Sequence, residues 1–520
     1  MQAFGDKSNP KSRSQRSVTA FLAFTFTVAF LVIPSVAQQY GANYVGPPVS
    51  PHSFSGDLRK LPPAKPLHLP PVPRRIRPDF TALPPLPIGP PDPLWQRGAL
   101  PEGTQSLAPT PGVTPPQFTS PVPNFDTNQP GDGPPDANGA VGPNHYIAIV
   151  NFTFQIFDKS GNSLSGPTNP ATLWSSAPAG DACQSQRGDP YVLYDHLADR
   201  WVITYFANDP TLSKTVTDPL EWQCIAVSKG PNPVTDGFFV YSFFLGFSND
   251  YPKLAIWPDG YYLISQEGYD GTSSLDAWVF DRANMLNGNP ATFQHPSGFP
   301  SEHDVITLPS DLTGPPPPVG SPNFYARPYD GNLYSDGSPR LEIFEFHTDW
   351  GVPANTTFSL VQTLTPATFR SDICAGGGLD QFCVPQPGTT ATLDALSIWP
   401  MGPLQYRNFG DHESLVFNHA VNVDGAGLVG IRWYELRRTP PGAGSWVIQQ
   451  QGTFAPADST TTTTTSIHRW TGSIGMDQAG NLALGYNVSN DGVSPHPTVF
   501  PGVRIVGRLA TDPLGEMTTP

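Results

Sequence analysis

Gly188-Asp189-Pro190-Tyr191-Val192-Leu193-Tyr194-Asp195, closed by Asp199-Arg200 and re-entering as Trp201-Val202-Ile203-Thr204-Tyr205-Phe206, sets the pattern of this chain. Two short runs rich in β-branched and aromatic residues flank a turn of Asp and small residues, which reads as a pair of strands rather than a helix. The pattern returns in degenerate form. One copy is Asn249-Asp250-Tyr251-Pro252-Lys253-Leu254-Ala255-Ile256-Trp257-Pro258-Asp259-Gly260-Tyr261. Others are Gly410-Asp411-His412-Glu413-Ser414-Leu415-Val416 and Trp470-Thr471-Gly472-Ser473-Ile474-Gly475-Met476-Asp477, with a weaker first copy at Asp136-Ala137-Asn138-Gly139. The starts at 136, 189, 250, 411 and 471 lie 53, 61, 161 and 60 residues apart. The long gap has room for two more units, one of them near Pro322-Asn323-Phe324-Tyr325. Units of about 40–60 residues, each of several strands, are the sequence signature of propeller blades. The expectation is an all-β chain: a β-propeller of six or seven blades over residues 121–520.

Outward from the repeat the texture changes on the N-terminal side. Residues 41–120 hold 21 of the 64 prolines, in runs such as Leu69-Pro70-Pro71-Val72-Pro73. Such composition favours extended polyproline II over a core, so 38–120 is read as a disordered Pro-rich linker. Ahead of it Lys7, Lys11, Arg13 and Arg16 precede the apolar run Val18–Ile33, and Ser35-Val36-Ala37 offers small residues for cleavage. That is the layout of a secretory signal peptide over 1–37. The run of 16 residues is short for a bilayer span of about 20, so membrane contact would come only through an uncleaved signal anchor. At the other end Val503–Leu509 reads as a strand eleven residues before the end of the sequence, an expectation of a last blade truncated at the C-terminus.

Composition narrows the function classes. Only 14% of residues are charged and the net charge is −15, which repels nucleic acid and anionic membranes. The sign suits cations, calcium among them. The four cysteines, Cys183, Cys224, Cys374 and Cys383, follow an export signal and are read as the disulfides Cys183–Cys224 and Cys374–Cys383. One helical turn is expected at Ala283–Leu286 after an Asp281 cap.

The motifs Gly188-Asp189-Pro190, Ala198-Asp199-Arg200-Trp201, Asn249–Leu254, Tyr406-Arg407-Asn408-Phe409-Gly410-Asp411-His412-Glu413-Ser414, Gly430–Arg437 and His468–Ser473 resemble an uncharacterised family of secreted bacterial proteins with β-propeller-like repeats, of distantly sialidase-like architecture. The resemblance covers about Asp132 to Leu514. It implies export and architecture, and supplies no catalytic residues.

Arg407, Asp411, His412 and Glu413 form the densest polar cluster of this low-charge domain. Asp411 and Glu413, two apart in a strand, would share a face. With Asp189 and Asp250 at matching repeat positions they would ring one mouth of a central channel, as a cation site or as carboxylates for glycan hydrolysis. The alternative is that the recurring acids satisfy turn amides between blades. Arg432, Arg469 and Arg504 are the arginines that would grip a carboxylate. The catalytic candidates are therefore Asp411, Glu413, Arg407 and Arg432, and the ligand-binding candidates Asp189, Asp250, His412 and Arg469. Trp201, Trp257, Trp278, Trp399, Trp433 and Trp470 are read as core between blades. No P-loop, nucleophile elbow, dinucleotide fingerprint or EF-hand loop is present. The function expected is extracellular binding of a glycan, protein or cation by a secreted or cell-surface protein. A secreted, sialidase-like glycan hydrolase with its site at the channel mouth is the alternative.

Overall fold

The computed structural model describes residues 43–64, 88–96, 125–128, 134–208, 221–246, 249–267, 274–296, 306–373, 382–457 and 466–518. The expected signal peptide, most of the expected linker and Cys374 lie outside these residues. The chain is nearly all β, in antiparallel meanders that follow one another along the sequence in a propeller-like arrangement. The first sheet spans 138–168, the second 188–244 and the third 250–295. The fourth (308–364) and fifth (400–454) merge into one nine-stranded sheet, because their first strands pair in parallel, Asp311 opposite Gln405. The sixth, 468–508, has three strands. The one α-helix among the described residues, Arg282–Leu286, is capped by Asp281, as its sequence predicts. No helix among them is long and apolar enough to cross a membrane.

The central strands of the second to fifth sheets are buried on both faces, which explains their near-continuous apolar runs. In the strand Arg200–Asn208, Trp201, Ile203 and Tyr205 pack against Ile147, Phe154 and Ile156 of the first sheet. Val202, between them, faces the other way and joins Leu254, Ile256 and Trp278 of the third. The same alternation recurs in Glu413–Asn422, where Leu415 and Phe417 face the fourth sheet and Val416 the sixth. All six tryptophans expected in the core are buried there. The first strand of each sheet packs on the first strand of the next, from the first sheet to the sixth, so these inner strands follow one another about an axis.

The repeat has a structural cause, and its phase needs one correction. Asp136, Asp189, Tyr251 and Thr471 all have positive φ (44°, 49°, 55° and 43°). Three of them lie in register shifts of the inner strands, between Gly188 and Tyr191, Asp250 and Lys253, and Trp470 and Ser473. In these three sheets the repeated motif is thus a β-bulge that bends the inner strand as it enters the axis. The copy at 411 is out of phase. Asp411 sits in the hairpin before the second strand of the fifth sheet, and Asn323 likewise opens a second strand. The inner strands there are Pro400–Asn408 and Leu308–Leu312.

The reading of 38–120 as a spacer is corrected for its two described pieces, 43–64 and 88–96. Tyr44–Val45 pairs with Phe293–His295 at the outer edge of the third sheet. His52–Phe54 pairs with Phe238–Phe244 at the edge of the second, with Phe54 and Leu58 buried. Trp95–Gln96 runs parallel to Trp446–Phe454 at the edge of the fifth. Strands of two or three residues suffice because they cap edges whose backbone groups would otherwise stand unpaired.

Cys183 and Cys224 are bonded, as expected, tying the 3-10 turn Ala182–Gln184 to the second sheet across 41 residues. Cys383 is disulfide-bonded as well. Closing a loop of that size removes unfolded-state entropy worth roughly 2–4 kcal/mol. Cys183→Ser with Cys224→Ser is therefore expected to lower the unfolding free energy by that amount in denaturant titrations. An unchanged midpoint would show that the crosslink does not constrain the unfolded chain.

Candidate axial site

The inner strands place five sheets' side chains at the axis. Tyr191 comes from the second sheet and sits next to Asn138 of the first, whose Oδ1 accepts from the Val192 amide at 2.8 Å. From the third sheet, Lys253 stands 3.4 Å above the Tyr251 ring and 6.0 Å from that of Tyr191. The fifth sheet offers Gly402, where a Cβ would lie 3.1 Å from the Tyr191 hydroxyl and 4.0 Å from the Lys253 stem. Trp399 packs its ring 4.4 Å from that of Tyr251, whose hydroxyl reaches the Met401 sulfur at 3.6 Å. Asp311 of the fourth sheet completes the set, close enough for its charge to act on the Tyr191 hydroxyl. Tyr251, Lys253, Asp311 and Gly402 are all part-exposed, so the axis is not a sealed core at this point.

Asp311 is the chemically distinctive member. Its Oδ1 accepts from the Ile256 amide at 2.9 Å, which ties the fourth sheet to the third. Burial raises its pKa to about 7 against that bond, and the charge of Asp195 adds to the rise. Burial, with Asp311 beside it, likewise pushes the Tyr191 hydroxyl well up. A carboxyl that is protonated about half the time at neutral pH is tuned for proton donation. Asp195 itself is sealed: Arg282 grips both its oxygens, at 2.7 and 2.9 Å, and the Tyr261 hydroxyl adds a third bond.

Of the residues singled out from sequence only Asp189 and Asp250 stand on the inner strands beside this site; the others fall elsewhere, and the structure does not bring them together. Glu413 is fully buried, with Arg438 at 2.7 and 2.9 Å, the Tyr406 hydroxyl at 2.6 Å and the Gly442 amide at 2.7 Å. Burial opposes its ionisation, but Arg438 and the other donors hold its carboxyl below the usual range. Arg432 is also fully buried, bound to both oxygens of Asp92 at 2.7 Å, to Thr453 at 2.6 Å and to the Ala367 and Thr368 carbonyls. Glu413 lies opposite Arg438 and His419 opposite Arg432, so Glu413 and Arg432 sit six residues apart along the ladder, roughly 20 Å. Asp411 is 85% exposed and bonds to His412, which stacks on Phe409. Asp411 and Glu413 therefore do not share an environment: one is solvated, the other is half of an internal ion pair. Arg407 lies at the far end of its inner strand against Gly314, its guanidinium pushed down by burial. Arg469 is buried, with its guanidinium on the Ile467 and Pro456 carbonyls. Arg504 is exposed on the outer strand of the sixth sheet. Asp250 opens the inner strand of the third sheet. Asp189 accepts from the Tyr251 amide at 2.8 Å, the turn-amide role weighed for the repeated acids. Gln405 spans the fifth and sixth sheets in the same way, donating to the Met476 carbonyl at 2.9 Å.

Asp311 escaped the sequence reading because it is one acid in the short strand Leu308–Leu312. Tyr191 and Lys253 lay inside quoted repeat copies but read as strand filler. The usable signal was Lys253, a charge among the apolar residues of the inner strand, two residues past the bulge at Tyr251 as Tyr191 is past that at Asp189.

A second buried acid stands off the axis. Asp330 accepts from the Ser371 amide at 2.7 Å, and burial raises its pKa to about 6, with Asp372 adding to the rise. An unfolded Asp titrates near 3.9, so the folded state keeps its proton longer and stability is lost as pH rises between about 4 and 6. Asp330→Asn is expected to gain about 2–3 kcal/mol on the parent between pH 4 and pH 7. Equal differences in melting at both pH values would show that Asp330 is not perturbed.

No family model matches the chain, and neither does any curated protein. Solved structures match at low similarity. The chain is 10% identical to a xylan β-1,4-xylosidase from Bacillus halodurans, covering 74% of this chain and 56% of that one at a TM-score of 0.28. An α-L-arabinofuranosidase from Lactobacillus brevis is 12% identical over 64% of this chain and 95% of its own, at 0.30. An endo-1,4-β-xylanase from Bacteroides thetaiotaomicron is 12% identical over 74% and 96%, at 0.31. Likenesses of this size do not bear on what the chain does.

Proposed function

We propose that the chain is an extracellular, propeller-like protein of six blades that takes a glycan into its axial cleft and hydrolyses it, with Asp311 as proton donor. The observation that supports this reading is the Asp311 carboxyl: one oxygen anchored on the Ile256 amide, the group part-exposed at the axis, and its pKa raised to about 7. Beside it Lys253, Tyr191 and Asn138 offer polar atoms for sugar hydroxyls.

Binding without cleavage is the second reading, and one observation favours it. Hydrolysis generally uses a second carboxyl about 5–10 Å from the first. Asp195 is sealed by Arg282, while Asp189 is anchored on the Tyr251 amide, five residues along the strand from the amide that holds Asp311. That separation is roughly 15 Å. Release of reducing sugar from a panel of neutral oligo- and polysaccharides, measured for the parent and for Asp311→Asn, decides between the readings. Turnover by the parent that the variant lacks supports hydrolysis. Saccharide binding with no turnover in either supports the second reading. Neither binding nor turnover across the panel overturns both.

A further inference from the structure

Away from the axis, the interface between the second and third sheets holds polar side chains that their surroundings leave unsatisfied. Arg187 donates to the Phe206 carbonyl and Gly188 lies opposite Phe206, so Gln186 lies across from Asn208. Asn208 in turn pairs with Glu221. In strands, side chains two apart share a face. Val202 packs toward the third sheet, so Asn208 points there too, and Gln186 and Glu221 stand beside it. The third sheet answers with Asn249, whose amide donates to Glu221 Oε2 at 2.5 Å and whose Nδ2 donates to Gln223 Oε1 at 2.7 Å. Ser265, on the same face as the buried Leu263, looks back at the second sheet.

These groups are almost fully removed from water: Gln186 is 5% exposed, Asn208 6%, and Glu221, Asn249 and Ser265 0%. Yet among the described residues both amide atoms of Gln186, Oδ1 of Asn208, Oδ1 of Asn249 and Oγ of Ser265 have no hydrogen-bond partner. Each such atom destabilises the fold if nothing meets it. Four unpartnered oxygens beside one buried carboxylate, with neither thiolate nor imidazole in the set, are a donor set for a hard cation. We infer that Gln186, Asn208, Glu221, Asn249 and Ser265 form a calcium site that ties the second sheet to the third. The carboxylate supplies the charge, and the amide and hydroxyl oxygens complete the shell. A single charge places the affinity at the weak end, on the order of 10⁻⁴–10⁻³ M, the range of extracellular modules. The site stands apart from the axial cleft and does not depend on its function.

Calorimetric titration of the chelator-treated full chain with calcium chloride, with magnesium chloride as control, tests this. One binding event for calcium in the stated range is expected, with a rise in the melting midpoint of a few degrees at about 10 mM. Glu221→Gln should weaken the affinity at least tenfold. Asn208→Asp, which adds a second charge without changing size, should tighten it about tenfold and make the melting midpoint more dependent on calcium. The second variant keeps the test open if the first fails to fold. Absence of calcium heat together with an unmoved midpoint overturns the inference, as does calcium binding that neither variant changes.

Discussion

Arg432→Ala is expected to cost about 3–5 kcal/mol of stability, among the largest effects of any single change in this chain. Both members of the pair are fully buried, and the guanidinium satisfies Asp92, Thr453 and two carbonyls of 367–368 at once. Truncation leaves the Asp92 carboxylate in the interior without its counter-charge, and that desolvation cost dominates over the lost attraction. The pair also fastens 88–96 to the fifth sheet, with the Trp95 indole on the Ala455 carbonyl beside it. Loss of the pair should therefore expose that segment to protease before the rest of the chain unfolds. Arg432→Met with Asp92→Asn should recover most of the loss, because an uncharged pair of similar volume leaves no buried charge. Chemical denaturation of the parent, Arg432→Ala and the double variant checks the account. A double variant as unstable as Arg432→Ala would mean that packing, not charge, sets the cost.

Asp311→Asn should reduce turnover by about 10²–10⁴-fold, the usual contribution of a positioned general acid. The amide oxygen can still accept from Ile256, so the fold and saccharide affinity should survive. The pH dependence is the sharper signature. Turnover needs the protonated carboxyl, so the parent's rate should fall as pH rises through about 7, the value to which burial raises Asp311. Residual activity of the variant should lack that limb. A parent profile that still rises through pH 8 would remove Asp311 from the reaction.

The architecture was legible in the sequence because alternation in runs such as Trp201–Phe206 reports two buried faces, a property of neighbouring residues. The helical turn at Arg282–Leu286 and the Cys183–Cys224 bond were equally local in their signals. Edge strands such as Tyr44–Val45 were not legible. Two residues carry no periodicity, and their partner lies about 250 positions away. The polar residues misled for a related reason. Glu413 and Arg432 looked like a site because charge is scarce here, but each is neutralised by a distant partner, Arg438 or Asp92, that only the fold reveals. Asp311 was missed for the converse reason: its chemistry comes from burial at an axis built by strands far apart in sequence.

The measurement that tests the central claim most directly is saccharide titration of the parent, of Lys253→Ala and of Asp311→Asn, read by calorimetry alongside reducing-sugar release. A glycan whose binding is lost in Lys253→Ala, kept in Asp311→Asn, and cleaved only when Asp311 is intact is the predicted result. Glycan binding or cleavage that neither substitution alters would contradict it, and would place the working surface of this protein away from its axis.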